Sequence, residues 1–172
     1  MNFELSEEQK MIQQSVERFV QDNYDLNTRI KLSAEESGYS AEYWNSMAEL
    51  GWLGLPFGES DGGFGGNQID TLVVMEQFGR GLVLEPYLAS VVMGGGAIKR
   101  GGSDALKAEI LPELIEGKRQ LSFAYAEPQS RFDLDDVITS ARKEGNSFIL
   151  NGHKSMVQNA ESAKQIVVVA RT

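Results

Sequence analysis

The residues best suited to do chemistry lie in one short stretch, AYAEPQSRFDLDD, at positions 124–136. Glu127 stands beside Pro128, where a run of small and aromatic residues ends. A carboxyl group here would serve as a general base if burial raised its pKa. The alternative, which we favour, is that Glu127 orders the turn by accepting hydrogen bonds from backbone N–H groups.

Three further carboxylates follow within the same stretch, at Asp133, Asp135 and Asp136. Carboxylates this close together suggest a cation site, but the spacing of an EF-hand loop and further ligands are missing. A solvated turn with local capping explains the cluster better. We therefore predict no metal site.

Other segments also raise the question of a ligand. The glycine-rich segments 59–66 and 94–99 lack the spacing of a dinucleotide fingerprint or a P-loop, which favours a helix-connecting loop and close helix packing. The single histidine, His153, has no Ser–His–Asp arrangement around it and is predicted to be a solvent-facing turn residue. No catalytic residue is assigned.

Composition narrows the classes of partner. The 172 residues carry a net charge of −9 and no cysteine. The negative charge argues against nucleic acid and membrane surfaces as partners, since phosphate binding needs clustered Lys and Arg. The absence of cysteine excludes disulfides and thiolate sites and favours a cytoplasmic location. The pattern of a signal peptide and an apolar run long enough to span a membrane are both missing.

Helical periodicity and capping residues predict the elements of the first two thirds of the chain. Ser6 and Gln9 form a capping-box pattern, and Ser40 and Ser103 precede two further helices. Pro112 predicts a kink or an early end in its helix. The predicted helices cover residues 7–22, 41–50, 69–78, 87–100 and 104–116.

The sequence pattern changes from helical periodicity to strand-like segments after Lys118. Strands are predicted at 120–126 and 165–170, with a hairpin formed by 137–141 and 147–150. The dipeptide Asn151-Gly152 is a second tight-turn signal. Helices first and antiparallel strands second indicate the α+β class, with a helical domain at 1–118 and a β-domain at 119–172. A sheet of about four strands with an unpaired edge is expected, which suggests a portion of a longer protein or a partner that completes the sheet.

The order of these features resembles that of the acyl-CoA dehydrogenase family over essentially the whole chain. The resemblance implies an N-terminal all-α domain followed by the first part of an antiparallel β-domain, FAD as cofactor and an acyl-CoA as substrate. The segments that carry it are LSEEQKMIQQSVERFV, MAELGWLGLPFGESDGGFGGNQID, VVMEQFGRGLVLEPYLAS, LKAEILPELIEGKRQLSFAYAEP and GNSFILNGHKSMVQNAESAKQIVVVART.

One family motif is a Thr-Glu-Pro followed by a Gly-Ser-Asp. In this chain Ala126 stands at the threonine position, while Glu127 and Pro128 match. The resemblance implies that backbone groups around Tyr125 and Ala126 contact the flavin ring, and we group Phe123 on the same predicted strand with them.

The turn that follows departs from this motif, because Arg131-Phe132 replaces Gly-Ser. The resemblance implies that this turn approaches the flavin pyrophosphate or the thioester ligand, so Ser130, Arg131 and Phe132 are the predicted substrate-binding residues. Phe132 removes the hydroxyl group of the motif, and Arg131 or Ser130 is expected to replace the lost phosphate contact.

A second family motif, Lys-x-Trp-Ile-Thr-Asn, corresponds to the segment 154–159. Met156 replaces its tryptophan and Gln158 its threonine. A methionine side chain packs well against a flat ring, and an amide both donates and accepts. Met156 and Gln158 are therefore the other predicted flavin contacts.

The resemblance implies α,β-dehydrogenation of an acyl-CoA, with electrons passed to a separate acceptor and assembly with itself or a paralogous subunit. In the family, the catalytic base comes from a C-terminal helical domain. Glu127 does not match that base. Two alternatives stay open. The chain could be a non-catalytic partner subunit, as the departures at Phe132, Met156 and Gln158 suggest, or a helical interaction module without a cofactor.

Overall fold

The computed structural model describes residues 4–172. Residues 1–3, part of the N-terminal stretch discussed above, lie outside the described residues. Helices fill the first two thirds of the chain and strands the last third, as predicted. The α-helices are α1 (Glu7–Asn23), α2 (Leu26–Ser33), α3 (Ala41–Glu49), α4 (Gln68–Gly81), α5 (Gly96–Gly101) and α6 (Asp104–Ile115).

The helix starts follow from local capping. Ser6 accepts a hydrogen bond from the N–H of Gln9, whose side chain in turn accepts one from the N–H of Ser6, so the predicted capping box is confirmed. Ser40 and Ser103 cap α3 and α6 as predicted. α6 continues for one turn past Pro112.

An aromatic cluster holds the helices together. The ring of Trp52 meets those of Phe19 and Phe78 edge-on, at centroid distances of 5.3 and 5.9 Å. The ring of Tyr87 packs on Phe78 at 5.3 Å, and its hydroxyl donates a hydrogen bond to the carbonyl of Trp52 at 3.1 Å. These aromatic pairs bury large areas between α1, α4 and the segment after Pro86.

The helix predicted at 87–100 has an unexpected form, because a π-helical segment (Leu88–Gly95) precedes α5. Its glycines allow close packing. A Cβ at Gly95 would lie 2.6 Å from Cζ of Phe57, and one at Gly94 would lie 2.6 Å from Cβ of Leu121. This geometry supports close packing, rather than phosphate binding, as the role of these glycines.

The strands pair differently from the prediction of a single antiparallel sheet. The hairpin of β2 (Ser140–Glu144) and β3 (Ser147–Asn151) is antiparallel, as expected. β1 (Leu121–Ala124), however, pairs in parallel with β4 (Gln165–Val168). The two strands run in the same direction because the hairpin and the following loop carry the chain back before β4 begins. Within the described residues the strands form two pairs, and a parallel bridge between Ser140 and Arg171 joins β2 to the chain that follows β4.

One strand start and one turn near the hairpin differ from the prediction, and β1 and β4 end earlier than predicted. The strand predicted from Val137 begins only at Ser140, because the N–H groups of Ile138 and Thr139 donate to the carboxylate of Glu127 instead of to a neighbouring strand. The predicted tight turn at Asn151-Gly152 is absent within the described residues. Gly152 lies there against Thr139, with φ outside the left-handed region.

Among the residues that the structure describes, helices long and apolar enough to cross a membrane are absent.

Candidate functional site

The two segments singled out for flavin contact lie side by side. The N–H of Ser155 donates to the carbonyl of Ala126 at 3.0 Å. Further along, Oγ of Ser122 donates to the backbone carbonyl of Gln158 at 2.6 Å. The side-chain amide of Asn159 donates to the backbone carbonyl of Leu121 at 3.3 Å. The loop 152–160, which we call the Met156 loop, is therefore fastened along β1 at both of its ends.

The β1 segment and the Met156 loop carry apolar side chains that are at least partly exposed: aromatic rings on the first and a methionine on the second. The rings of Phe123 and Tyr125 stack with a centroid distance of 5.6 Å and an interplanar angle of 24°. Tyr125 is 38% exposed and Met156 is 88% exposed. Exposed apolar groups that are held in place by a bonded backbone are suited to contact a planar ligand.

The backbone of the Met156 loop is strained. Met156 has a φ of 53°, in the left-handed region that residues other than glycine and asparagine rarely adopt, and Asn159 follows with a φ of 59°. Such conformations persist where surrounding contacts enforce them, and they are common in ligand sites. Here the bonds from Ser155 and Asn159 to the β1 segment enforce the loop conformation.

The N–H of Ala126 is one of the backbone donors of this region that have no acceptor within the described residues. It makes no hydrogen bond with any part of the chain from residue 4 to residue 172, although Ala126 is half-buried. A donor that the chain itself leaves unpaired is free to bond to a ligand. The unpaired N–H lies at a position that the sequence analysis assigned to flavin contact, so a ligand acceptor fits here.

Glu127 is buried and surrounded by donors. Its Oε1 accepts hydrogen bonds from the N–H of Thr139 at 3.0 Å and from Nζ of Lys154 at 2.7 Å. Its Oε2 accepts from the N–H of Ile138 at 2.9 Å and from Nε2 of Gln129 at 2.8 Å. The predicted turn-ordering role is confirmed, because both carboxylate oxygens are occupied by donors of the chain itself.

The electrostatics of Glu127 agree with this role. Burial by itself would raise the pKa of the Glu127 carboxyl, but the hydrogen bonds from Lys154, Thr139, Ile138 and Gln129 outweigh it and hold the pKa well below its usual range. A carboxylate that stays ionised in this way is a poor proton acceptor, so the general-base interpretation is not supported.

The turn after Pro128 separates the three predicted substrate-binding residues. Oγ of Ser130 faces inward, accepting from the N–H of Glu127 at 3.3 Å and donating to its carbonyl at 2.9 Å. Arg131 is exposed, has φ of 49° and has no side-chain partner in the described part of the chain. Phe132 is fully exposed. Of the three, Arg131 has donors free for an anion.

The acidic residues that follow form a local turn. The N–H of Asp135 donates to the carboxylate of Asp133 at 3.0 Å, and both residues are exposed. Groups of residues that could hold a metal ion are absent from the described part of the chain. His153 is exposed, as predicted.

The sequence analysis missed a second buried carboxylate, Glu85. It accepts hydrogen bonds from the hydroxyl of Tyr24 and, at 3.1 Å, from the N–H of Ser40. Burial raises the pKa of Glu85, and these donors only partly offset the rise. The sequence signal that could have identified this residue is the pair Glu85-Pro86, which lies between two apolar runs.

Glu85 lines a cavity at the junction of the helical region and the Met156 loop. The cavity has a volume of about 270 Å³. A larger groove of about 600 Å³ lies between α4 and the π-helical segment, but none of the predicted site residues lines it. The residues around the smaller cavity include Tyr39, Glu85, Pro86, Ala89, Gln158 and Asn159.

Comparison with known proteins identifies relatives over the whole chain. The sequence model of the acyl-CoA dehydrogenase N-terminal domain matches residues 6–118, and that of the middle domain matches residues 122–172. The probable acyl-CoA dehydrogenase YngJ of Bacillus subtilis is 32% identical over 100% of this chain and 45% of its own length. Mitochondrial isovaleryl-CoA dehydrogenase of Pongo abelii is 32% identical over 98% of this chain and 40% of its own length.

A third relative is named as part of an assembly. It is the caffeyl-CoA reductase-Etf complex subunit CarC of Acetobacterium woodii, which is 32% identical over 97% of this chain and 44% of its own length. This chain spans less than half the length of these relatives.

Solved structures agree. The ChsE4-ChsE5 complex from Mycobacterium tuberculosis superposes with a TM-score of 0.88 at 25% identity, over 99% of this chain and 45% of that one. The FAD complex of PigA superposes with a TM-score of 0.86 at 29% identity, over 100% of this chain and 45% of that one. The helical region followed by a small β-region is thus the acyl-CoA dehydrogenase fold, and the chain belongs to the acyl-CoA dehydrogenase family.

Proposed function

We propose that this chain supplies the N-terminal part of the flavin and acyl-CoA site of an FAD-dependent enzyme that dehydrogenates acyl-CoA thioesters at the α,β-position. The observation that carries the proposal is the Met156 loop fastened along β1, beside the unpaired N–H of Ala126. Those contacts put both predicted flavin segments on one surface.

The residues present suit a flavin ring. The N–H of Ala126 would donate to an acceptor on the ring, while Tyr125, Phe123 and Met156 would provide the surface against which it packs. Gln158 would offer its exposed side-chain amide, since its backbone carbonyl is already bonded to the hydroxyl of Ser122. Bound FAD would accept the hydride that leaves the β-carbon of the substrate.

The acyl group would enter between the helical region and the Met156 loop. The cavity lined by Glu85, Ala89 and Gln158 lies at this junction. Arg131 would bind a phosphate of CoA or of FAD, because its guanidinium is exposed and its charge is not paired within the described residues. Ser130 is less suited, since its hydroxyl proton is donated to Glu127.

The proton from the α-carbon needs a base, and we assign none. Glu127 is held as an ion pair with Lys154 and keeps a low pKa. Its role in the proposed enzyme is to shape the turn between β1 and the residues that bind phosphate.

A non-catalytic partner subunit is the second candidate. Phe132 stands where the family motif has a hydroxyl-bearing residue, and its side chain is fully exposed instead of bonded. One structural neighbour is named as a complex, ChsE4-ChsE5, which favours a heteromeric assembly here as well. The segments GGGAIKRGGSD and AEPQSRFDL also resemble the small subunit of pimeloyl-CoA dehydrogenase, which would make the substrate a dicarboxylic acyl-CoA.

Further partners follow from the same proposal. An electron-transfer protein would reoxidise the flavin, in line with the Etf complex named for one relative. Assembly would be with identical or paralogous subunits, and the location would be the cytoplasm.

Flavin binding tests the proposal directly. The protein expressed from its complete reading frame is purified, and its visible flavin absorbance is compared with its concentration. Near-stoichiometric FAD that is bleached by an acyl-CoA supports the enzyme. Bound FAD that stays oxidised until a partner chain is added supports the subunit. A protein that neither retains nor binds FAD would refute both.

A further inference from the structure

We propose that Lys154 is a positioning residue that, together with Glu127, aims the N–H of Ala126 at the flavin. This inference rests on the proposed function and concerns which residues prepare the binding surface. It assigns a role to an ion pair that lies behind the proposed contact surface.

The position of Lys154 is the first step of the argument. Its Nζ lies 2.7 Å from Oε1 of Glu127 and 3.2 Å from the carbonyl oxygen of Tyr125. The side chains of Lys154 and Glu127 are 9% and 0% exposed. A buried ammonium needs an ionised partner and good hydrogen bonds, and this one has both.

The second step is the geometry of the peptide between Tyr125 and Ala126. A trans peptide is planar, so its C=O and N–H point in opposite directions. Because Lys154 holds the carbonyl of Tyr125, the N–H of Ala126 must point away from the ammonium. That N–H has no acceptor among residues 4–172.

The third step is how firmly the pair itself is held. Glu127 also accepts the N–H groups of Ile138 and Thr139, so one carboxylate joins the end of β1, the approach to β2 and the Met156 loop. The carbonyl of Ala126 is in turn bonded to the N–H of Ser155, the residue after Lys154. The peptide between Tyr125 and Ala126 is thus restrained on both sides, which prevents it from turning its N–H in another direction.

This arrangement has a chemical consequence beyond stability. An ammonium bonded to the carbonyl of Tyr125 polarises the peptide and strengthens its N–H as a donor. A ring acceptor becomes more basic when the flavin is reduced, so the bond would favour the reduced form. The pair would therefore influence both flavin affinity and flavin reduction.

The main test compares Lys154→Met with Lys164→Met in the protein expressed from its complete reading frame. Lys164 is 60% exposed and its side chain pairs with Glu113, outside the proposed site, so it serves as the control. For Lys154→Met we expect the Kd for FAD, measured by quenching of flavin fluorescence, to rise roughly tenfold. The two-electron reduction potential should fall by about 30 mV, the equivalent of a tenfold weaker preference for reduced flavin. Lys164→Met should match the wild type in both.

The outcomes separate the two proposals. A wild-type protein that binds no FAD refutes the proposed function. A wild type that binds FAD, together with a folded Lys154→Met variant of unchanged affinity and potential, refutes only the positioning role.

A second measurement applies if the variant does not fold. In the wild type, addition of FAD should slow hydrogen exchange at the amide of Ala126. The amide of Ser155, already bonded within the chain, should be protected with and without FAD. An Ala126 amide whose exchange rate FAD leaves unchanged would overturn the inference.

Discussion

The hydroxyl of Ser90 accepts a hydrogen bond from the backbone N–H of Leu121 at 2.8 Å. Ser90 lies in the π-helical segment, Leu121 is the first residue of β1, and both are fully buried. With the packing of Gly94 on Leu121, this bond joins the helical region to the strand that leads to Tyr125 and Ala126. The position of the proposed site thus depends in part on a buried serine.

Removal of this hydroxyl should destabilise the protein. Ser90→Ala leaves the N–H of Leu121 buried without an acceptor, which costs about 1–3 kcal/mol. Urea denaturation should show this loss in the free energy of unfolding. Ser15→Ala is the control, because Ser15 is exposed on α1. Equal stability of the two variants would show that the Ser90–Leu121 bond does not contribute.

Two glycine substitutions should have opposite effects. Gly95→Ala would place a Cβ 2.6 Å from Phe57 and 2.7 Å from Leu114, both fully buried, and overpacking of this kind costs about 1–3 kcal/mol. Gly79→Ala, on the exposed face of α4 with open space around it, should stabilise by about 0.5–1 kcal/mol. Thermal unfolding measures both. A stabilised Gly95→Ala variant would contradict the close packing described for the π-helical segment.

Acid sensitivity should depend on Glu127. Its folded-state pKa lies well below the ordinary value of 4.5, so its contribution to stability is complete above that value and is lost as the pH falls towards the folded-state pKa. Between about pH 5 and about pH 2, the stability of Glu127→Gln should fall less steeply than that of the wild type. Glu109→Gln, at an exposed position on α6, should keep the wild-type slope. Equal slopes for all three proteins would rule out this role.

Arg131 should contribute to binding through its charge. Arg131→Ala should weaken the binding of FAD or acyl-CoA by about 1 kcal/mol, roughly fivefold in Kd, and the difference should shrink as salt is added. Arg142→Ala, which alters an exposed arginine of the hairpin, should bind like the wild type. A loss of affinity independent of salt would indicate a change of fold instead of a lost phosphate contact.

Elements with local signals could be predicted from the sequence. Ser6, Ser40 and Ser103 identify helix starts because each side chain bonds to the backbone within one turn. The order of helices and strands followed from such signals. The parallel pairing of β1 with β4 did not, because it depends on where the hairpin directs the chain.

The site was predicted in part. The resemblance identified the segments around Tyr125 and Met156, but it did not indicate how they touch. The pairing of Lys154 with Glu127 joins residues 27 positions apart, and that of Tyr24 with Glu85 joins residues 61 apart. Contacts of this kind become visible only when the chain is folded, because no spacing rule connects their partners.

The π-helical segment, Leu88–Gly95, affects how this chain is aligned with its relatives. A π-helical turn closes over five residues instead of four, so it accommodates one more residue than an α-helical turn. A relative with a continuous α-helix here would need a one-residue gap opposite this segment. Without that gap, substitutions compared after the extra residue, up to Arg100, would be assigned to the wrong face of the helix.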